Sequence, residues 1–367
     1  MREIPILDLS PQYQRLKPEI DRAIGAVMES GAFIMGKEVE KFEQEVAAYS
    51  GVRFAVGLNS GTDALVIGLR ALGIQAGDEV ITSSFSFFAT AEAISILGAK
   101  PIFVDIDPAT FNLDPALLGL VLTSRTKAII PVHLFGLGAE MTPILEFACK
   151  NNLKVLEDCA QCFGGTDLSG KKLGALGQAG ALSFFPSKNL GAAGDGGMLI
   201  TNDGGIAGQA RALRTHGGIK KYFNETVGYN SRLDTLQAAI LRVKLPHLDS
   251  WNAERFTIAQ RYHERLSGVR GLRLPAMTKG HAFHQFTVRV EGISRDEVHA
   301  NLAVRGISTM VYYPVPIHRL PVYSGQYSAL PHCEQAAKEV LSLPIGPGMS
   351  FDDVDFVADE IRKLFHP

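Results

Sequence analysis

Short apolar runs rich in β-branched residues alternate with longer helical patterns over residues 54–201. The apolar runs read, in order, FAVGL, EVITS, PIFVD, KAIIPVHLFG, KVLEDCA, GALSFF and GMLIT. Two of the helical patterns are ALVIGLRAL, with Ser60 and Thr62 as cap candidates before it, and PILEFACK, with Pro143 expected at its first helical position. This alternation predicts an α/β fold, in which a mostly parallel sheet is covered by helices on both faces.

The pattern changes after residue 202. A long helical pattern runs from Asp234 through Arg261 with Pro246 inside it, and HQFTVRV, ISRDEVHANLAVRGI and a final helical stretch, FDDVDFVADEIRKLF, follow. We interpret this part as a smaller α+β unit that the long helix joins to the first. The sequence therefore predicts a large domain over residues 1–245, including the N-terminal segment, and a small C-terminal domain over residues 246–367.

Composition is that of an ordinary globular protein and argues against several classes of partner. The 367 residues suit about two domains, 46% of them are hydrophobic, and 36 basic against 38 acidic residues give a net charge of -2. This balance argues against a nucleic-acid-binding face and a polybasic membrane anchor. There is no apolar run of the roughly 20 residues that cross a bilayer, no signal-peptide pattern at the N-terminus and no secreted cysteine framework. We expect a cytoplasmic protein without nucleic-acid or membrane partners.

The segment SGTDAL, which begins at Ser60, lies between a predicted strand and a predicted helix. A helix N-terminus carries unpaired N–H groups and a partial positive charge, and a glycine there permits close approach of an anion. The turn is therefore a candidate phosphate site. Junctions of this kind also need small capping residues when no ligand binds, so both interpretations stay open.

A second candidate is VLEDCAQC, an apolar strand that ends in Glu157 and Asp158. Ligands of open α/β sheets bind at the carboxyl ends of strands, and a carboxylate there can hold a cationic ring nitrogen. Cys159 and Cys162 have the CxxC spacing, but no second pair, no nearby histidine and no thioredoxin-like context accompanies them. We interpret them as small buried cysteines and expect no metal site.

The segment SFFPSKNLGAAGDGG places Lys188 between aromatic residues and a glycine-rich stretch. In a recessed, partly apolar setting desolvation makes a lysine amine lose its proton more easily, and the neutral amine can attack a carbonyl. Schiff-base formation with pyridoxal 5'-phosphate (PLP) needs such a lysine, an acid facing the pyridine nitrogen and a helix-end phosphate site. Lys188, Asp158 and the turn from Ser60 to Thr62 supply all three, which predicts a PLP site.

These motifs belong to a chain that resembles the DegT/DnrJ/EryC1/StrS family of nucleotide-sugar aminotransferases, within the fold type I (aspartate aminotransferase) superfamily. The resemblance covers nearly the whole chain, through SGAFIMGKEVEKFE, NSGTDAL, FSFFAT, GAKPIFVDID, PVHLFG, EDCAQ, SFFPSKNLGAAGDGG, GYNSRLDTLQAAIL and YYPVPIHRLPVY. It implies a transaminase that takes the amino group of L-glutamate and leaves it on a nucleotide-diphosphate keto-sugar. A dehydratase branch of the family carries histidine where this chain has Lys188, and the lysine favours transamination.

The resemblance also implies roles for individual residues. Lys188 matches the lysine that is joined to PLP and that, once displaced, acts as general base and acid. Asp158 matches the carboxylate that keeps the ring nitrogen protonated. The other cofactor-binding positions are Phe87, which stacks on the ring, Gln161 against the ring face, and Gly61, Thr62 and Ser183 at the phosphate. Asn230 matches an asparagine that the neighbouring subunit gives to the phosphate, which implies a homodimer with shared sites.

The identity of the sugar is more open. Residues 220–245 resemble most the branch that converts a dTDP-linked 3-keto-6-deoxyhexose to dTDP-3-amino-3,6-dideoxyhexose, but branches for UDP-linked 3-keto-hexosaminuronates or 4-keto sugars share most of this stretch. The candidate substrate-binding residues are Lys220, Lys221, Tyr222 and Arg232, which suit a diphosphate, together with Tyr313 and His318. A solvated basic turn explains the first four equally well. The alternative from a different class is a PLP-fold regulator without turnover, against which the intact pair of Lys188 and Asp158 argues.

Overall fold

A seven-stranded sheet forms the centre of the first part of the chain in the computed structural model, which describes residues 2–218, 220 and 222–365. Its strands are short, and in chain order they are β1 (Phe54–Leu58), β2 (Glu79–Ser83), β3 (Lys100–Val104), β4 (Thr126–Ile130), β5 (Lys154–Asp158), β6 (Ala179–Ser183) and β7 (Gly197–Thr201). Across the sheet they lie in the order β1-β7-β6-β5-β4-β2-β3. Neighbours from β6 to β3 pair in parallel, whereas β7 is antiparallel to both β1 and β6. The predicted mostly parallel sheet is confirmed.

Helices lie against both faces of this sheet. They are α1 (Ser10–Ser30), α2 (Lys37–Ser50), α3 (Gly61–Ala71), α4 (Ala89–Ile96), α5 (Leu118–Val121), α6 (Met141–Lys150), α7 (Gly204–Arg214) and α8 (Thr235–Lys244). Strand β7 shows how the two faces divide, because side chains alternate along a strand. Leu199 packs in one cluster with residues of α3 and α7, while Met198 and Ile200 pack in another with residues of α2 and α8. Two helical layers therefore enclose the sheet, as the sequence predicts.

The starts of two helices test the capping predictions. Ser60 caps α3, since its hydroxyl accepts a hydrogen bond from the Asp63 N–H at 3.1 Å. Helix α6 begins at Met141, so Pro143 is its third residue and not its first, and that expectation was wrong. The proline is tolerated there because the first N–H groups of a helix have no intrahelical partner.

The second part of the chain forms a smaller sheet with helices beside it. Its elements are α9 (Leu248–Leu266), β8 (Leu272–Arg273), β9 (Phe286–Val290), α10 (Arg295–Val304), α11 (Pro331–Glu339), β10 (Val340–Leu343) and α12 (Phe351–Phe365). The strands are antiparallel, in the order β10-β9-β8. A 3-10 turn, Leu245–His247, separates α8 from α9 at Pro246, and the long helix is interrupted there as the sequence predicts.

The N-terminal segment packs against this second part. Ile4 is buried in the same hydrophobic cluster as Tyr262 and Phe286 and forms a parallel bridge with Ile307. Its N–H donates to the Gly306 carbonyl at 2.8 Å. The division into a domain of residues 1–245 and one of residues 246–367 stays a prediction.

None of the described helices suits a bilayer, because none joins sufficient length with sufficient apolar character. The cytoplasmic location stays a prediction.

Candidate active site

Asp158 is the last residue of β5 and carries a buried carboxylate of fixed orientation. Its side chain is 5% exposed. The Thr90 hydroxyl donates to Oδ2 at 2.8 Å, and the Ala160 N–H donates to Oδ1 at 3.1 Å. Burial raises the pKa of Asp158, while these two hydrogen bonds and the charge of Lys188 act in the opposite direction. A cationic group beside this carboxylate would restore its charge, as a protonated ring nitrogen does.

Lys188 lies in the loop after β6, the strand that pairs with β5. The backbone N–H of Lys188 donates to the Phe185 carbonyl at 2.8 Å. Burial lowers the pKa of Lys188 to about 8, and the charge of Asp158 opposes this shift. The amine is therefore close enough to interact electrostatically with Asp158, and an unusually large share of it is neutral near pH 7. The structure thus brings together the two residues on which the predicted chemistry depends.

The glycine-rich stretch after Lys188 makes a tight loop. A Cβ at Gly191 would lie 2.1 Å from the Pro186 carbonyl oxygen, so only glycine fits. The N–H of Ala192 donates to the Phe184 carbonyl at 2.8 Å, which turns the chain back on itself. This close backbone approach explains why the lysine is followed by glycines.

The N-terminus of α3 lies against the end of β6. A Cβ added to Gly61 would come within 2.6 Å of the Ser183 Cβ, so the two residues are in close contact. Gly61 and Thr62 are the first two residues of α3, where backbone N–H groups have no partner within the helix. The Ser183 hydroxyl adds a side-chain donor at the same place. The three predicted phosphate-binding residues are thus neighbours in the structure.

Phe87, Gln161 and Tyr313 form the remaining part of the site. Phe87 is 59% exposed, which leaves much of an aromatic ring free to stack. The Gln161 amide accepts from the Phe135 N–H at 2.7 Å and donates to the Tyr313 hydroxyl at 2.9 Å. The rings of Tyr313 and Phe87 have their centroids 6.3 Å apart. The structure therefore places an exposed aromatic, an oriented amide and a phenol in one cluster.

Asn230 and most of the predicted diphosphate contacts lie on a hairpin that is closed by a bridge between Thr215 and Asn230. Lys220 pairs with Phe223 near its tip. Tyr222 is 90% exposed and Asn230 is exposed. Arg232 follows the hairpin and is half-buried, and Lys221 lies outside the described residues. The role of Asn230 at a phosphate, and the subunit to which that phosphate belongs, stay predictions.

His318 is buried and has both ring nitrogens paired. Nδ1 lies 2.6 Å from the Ser84 hydroxyl, and Nε2 lies 3.1 Å from a Glu334 carboxylate oxygen. The Ser84 hydroxyl also accepts from the His318 N–H at 3.0 Å. These bonds hold the turn that contains His318 against the loop that leads to Phe87. A substrate contact by His318 stays a prediction.

The structure corrects one expectation about the CxxC pair. His133 lies after β4, next to β5, and its ring comes within 4.8 Å of the thiols of Cys159 and Cys162. The expectation that no histidine lies near them was therefore wrong, because strand pairing brings it there. Its Nδ1 accepts from the Ala139 N–H at 3.0 Å and its Nε2 lies 2.9 Å from a Glu157 oxygen, so both nitrogens are engaged. Burial raises the pKa of both thiols.

Sequence reasoning missed three residues around the site. Thr90 orients Asp158, and its place in FSFFAT was the available signal. Glu157 is a fully buried carboxylate that accepts the N–H groups of Gly174, Leu176 and Gly177 at 2.7–2.8 Å; a charged residue inside an apolar strand was its signal. His284 is 7% exposed, with Nδ1 unpaired within the described residues. Burial, then the charges of Lys188 and Arg255, hold its pKa well below the ordinary value, and no local pattern indicated this.

Comparison with known proteins decides the family. Residues 14–362 match the model of the DegT/DnrJ/EryC1/StrS aminotransferase family. The chain belongs to this family. The protein is accordingly a PLP-dependent sugar aminotransferase of fold type I that acts on nucleotide-linked keto-sugars, and the motif-based prediction of family and fold is confirmed.

Similar proteins carry different descriptions. The chain is 48% identical to the pleiotropic regulatory protein of Geobacillus stearothermophilus, over 99% of this chain and 98% of that one. It is 45% identical to the UDP-N-acetyl-3-dehydro-alpha-D-glucosamine 3-aminotransferase of Acidithiobacillus ferrooxidans, with the same coverage. It is 44% identical to the dTDP-3-amino-3,4,6-trideoxy-alpha-D-glucose transaminase of Streptomyces venezuelae, over 98% of this chain and 96% of that one.

Two solved structures show the same fold. DesV of S. venezuelae superposes with a TM-score of 0.97 at 43% identity, covering 100% of both chains. NtdA of Bacillus subtilis, solved with bound PMP, superposes with a TM-score of 0.92 at 33% identity, covering 99% of this chain and 86% of that one.

Proposed function

We propose that this protein transfers the amino group of L-glutamate to C3 of a dTDP-linked 3-keto-6-deoxyhexose, giving dTDP-3-amino-3,6-dideoxyhexose. The observation that carries the proposal is the juxtaposition of Lys188 and Asp158 at the ends of adjacent strands. The lysine has a pKa lowered to about 8, and the carboxylate is buried and oriented by Thr90. A protein that only bound a ligand would need no reactive amine in this setting.

The residues present fit PLP. Gly61, Thr62 and Ser183 make a cradle at a helix N-terminus that a single added Cβ would fill, and helix N-termini bind phosphate. Asp158 suits the pyridinium nitrogen, Phe87 and Gln161 suit the ring, and the Lys188 amine suits the aldehyde. The cofactor, when bound, would supply a carbonyl that takes up and returns the amino group, and a ring that accepts electrons from the substrate carbon.

Lys188 would have two roles in this site. Its neutral Nζ would hold the cofactor by bonding to the aldehyde carbon, whose oxygen would leave as water. Once the incoming amine has displaced it, the neutral Nζ would be free to take a proton from the substrate carbon. In its ammonium form it would then donate that proton back. A pKa of about 8 suits both directions, because neither form is rare near neutral pH. Asp158 would accept a hydrogen bond from the ring nitrogen and so favour its protonated form.

The choice of sugar is supported by the relatives. The descriptions of the A. ferrooxidans and S. venezuelae proteins both place the amino group at C3, which favours C3 over C4. They disagree on the nucleotide. We favour dTDP, because residues 220–245 resemble that branch most and the S. venezuelae relative acts on a dTDP-linked deoxysugar. A UDP-linked 3-keto-hexosamine or hexosaminuronate is the second candidate, supported by the A. ferrooxidans relative.

The two half-reactions test this proposal separately. PLP-loaded protein is mixed with L-glutamate, and absorbance follows loss of the lysine-linked cofactor. Glutamate is then removed, and matched dTDP- and UDP-linked 3-keto-sugars are added. Recovery of the original band with the dTDP sugar alone supports the proposal, whereas recovery with the UDP sugar alone selects the second candidate. The Lys188→Ala variant is the control and should show neither half-reaction.

A regulatory role without turnover is the competing function. The 48% identical G. stearothermophilus protein is described as a regulator, which is the observation that favours it. PLP uptake without any change on adding L-glutamate or other amino donors would support this role and refute the aminotransferase proposal.

A homodimer with shared sites is part of the proposal. Exposed apolar side chains at the hairpin tip support it: Tyr222, Phe223 and Val227 are 90%, 64% and 80% exposed. A second copy that buried them would bring Asn230 to a neighbouring phosphate cradle. Mixing inactive Lys188→Ala with Asn230→Ala protein should then restore about a quarter of the wild-type activity, since half of the dimers are hybrids with one intact site. No recovery on mixing would contradict shared sites.

A further inference from the structure

A hydrogen-bonded pair, buried Gln161 and half-buried Tyr313, joins the two parts of the chain. Gln161 is 6% exposed and follows β5, while Tyr313 comes from the segment before α11, 152 residues later. The Gln161 amide oxygen accepts from Phe135, and its nitrogen donates to Tyr313. Because both ends of the amide have a partner, its plane is fixed. Gln161 can therefore present a face to a bound ring only in this orientation.

The Tyr313 hydroxyl has an unused donor. It accepts the hydrogen bond from Gln161 at 2.9 Å, and a phenol has one further hydrogen to donate. Tyr313 is half-buried, and among the residues that the structure describes none accepts that hydrogen, so the donor is available to a bound ligand. The ring lies between Phe85 and Phe87, with centroids 6.2 and 6.3 Å away. The donor is thus in the same cluster as the exposed ring of Phe87.

The Tyr313 hydroxyl also keeps its proton. Burial raises its pKa, and the negative charge of Asp158 raises it further, against the hydrogen bond from Gln161. The phenol is bonded to Gln161, three residues after the carboxylate of Asp158 that is proposed to face the ring nitrogen. Tyr313 is therefore a neutral donor near both the cofactor and the substrate in the proposed site.

We propose that Tyr313 donates this hydrogen bond to an oxygen of the bound ligand and at the same time fixes the Gln161 carboxamide. Two ligand oxygens have the right chemistry: the phenolic oxygen of PLP and the carbonyl oxygen of the keto-sugar. The inference rests on the proposed function, since it requires PLP and a keto-sugar in this site. It goes beyond a general substrate contact, because it assigns the donor atom, the acceptor type and a second task.

The test compares Tyr313→Phe with Tyr312→Phe. Tyr312 is the matched control, because it is the adjacent tyrosine and is also half-buried. Four quantities are measured for both: thermal stability of the apoprotein, PLP dissociation constant, the pH titration of the absorbance of PLP-loaded protein, and single-turnover rates with L-glutamate and with keto-sugar. Loss of one hydrogen bond to a ligand predicts a change of about tenfold or more in the affected quantity.

The outcomes separate the two acceptors. A shifted absorbance titration and weaker PLP binding in Tyr313→Phe identify the cofactor oxygen. An unchanged titration with a slower sugar half-reaction alone identifies the sugar oxygen. Agreement of Tyr313→Phe with Tyr312→Phe in every measurement overturns the proposal. The absorbance titration needs no turnover, so it reports on Tyr313 even if the wild type fails with every keto-sugar.

A second variant covers the case in which Tyr313→Phe does not fold. Gln161→Met removes the bond that orients the phenol but keeps the hydroxyl itself. It should move the same quantity in the same direction as Tyr313→Phe, by a smaller factor. If Gln161→Met matches Tyr312→Phe in PLP binding, titration and both half-reactions, the coupling of Gln161 and Tyr313 to the ligand is wrong.

Discussion

The pKa of Lys188 predicts how the uptake of PLP depends on pH. At a pKa of about 8, against an ordinary value of 10.5, roughly a tenth of the amines are neutral at pH 7, compared with roughly one in three thousand for an ordinary lysine. Only the neutral amine attacks the aldehyde. The rate of uptake should therefore rise nearly tenfold from about pH 6 to pH 7 and level off by about pH 9.

Lys244 is the internal control for this experiment. Burial also lowers its pKa to about 8, and its amine donates to the Gly191 carbonyl. A low pKa alone would therefore make both lysines react. Uptake by apoprotein is followed by stopped-flow absorbance, and borohydride reduction with peptide mapping locates the modified residue. We expect modification at Lys188, its loss in Lys188→Ala, and an unchanged midpoint in Lys244→Met.

The Asp158→Asn variant tests whether the charge of Asp158 raises the pKa of Lys188. The charge of Asp158 raises the pKa of Lys188 against the effect of burial, so its removal should move the midpoint of the profile below that of the wild type. A midpoint that stays the same or rises would mean that the two groups do not interact as the structure indicates. A wild-type midpoint near the ordinary value of 10.5 would refute the argument from burial itself.

Three further substitutions test the surroundings of the site. Gly61→Ala should weaken PLP binding about tenfold or more, because its Cβ would lie 2.6 Å from that of Ser183; Gly25→Ala, where nothing lies within 4 Å, should leave the dissociation constant unchanged. Thr90→Val should destabilise the apoprotein by about 1–2 kcal/mol and weaken PLP binding, whereas Thr90→Ser should restore both. Glu157→Gln should lower the free energy of unfolding of the apoprotein in urea by about 2–3 kcal/mol, because the buried carboxylate loses charge-assisted hydrogen bonds. Wild-type stability of Thr90→Val would show that Thr90 does not bond Asp158, and wild-type stability of Glu157→Gln would show that the bonds to Glu157 are not formed.

The fold was predictable where the local run of apolar residues indicates that a strand is buried on both faces. Each of the seven apolar runs overlaps one strand of the large sheet to within one residue at its start, because strands covered on both faces need apolar residues at successive positions. The break at Pro246 is equally local. The direction of β7 was not predictable, since an antiparallel strand in a covered sheet has the same composition as its parallel neighbours. The packing of Ile4 against Ile307 has no local signal either.

The candidate site also has a part that the sequence predicts and a part that it does not. Asp158 ends β5, while Gly61 and Lys188 come shortly after β1 and β6, so a common direction of these strands places all three at one edge of the sheet. The contacts that orient them join distant parts of the chain. Thr90 is 68 residues from Asp158, and Tyr313 is 152 residues from Gln161. A single sequence contains the residues of such pairs but not the pairing, which depends on how the strands and the second part of the chain pack.

Adjacent carboxylates at the end of β5 show why position in a strand decides the role of a residue. Successive side chains of a strand point to opposite faces, so Glu157 and Asp158 cannot share one environment. Glu157 meets three backbone N–H groups and His133, which satisfy its charge within the protein. Among the described residues, the Asp158 side chain accepts hydrogen bonds from Thr90 and Ala160 alone, and burial still raises its pKa. The carboxylate that the fold leaves undersatisfied is the one available to a cationic ligand, and a one-residue shift of this strand would exchange the two roles.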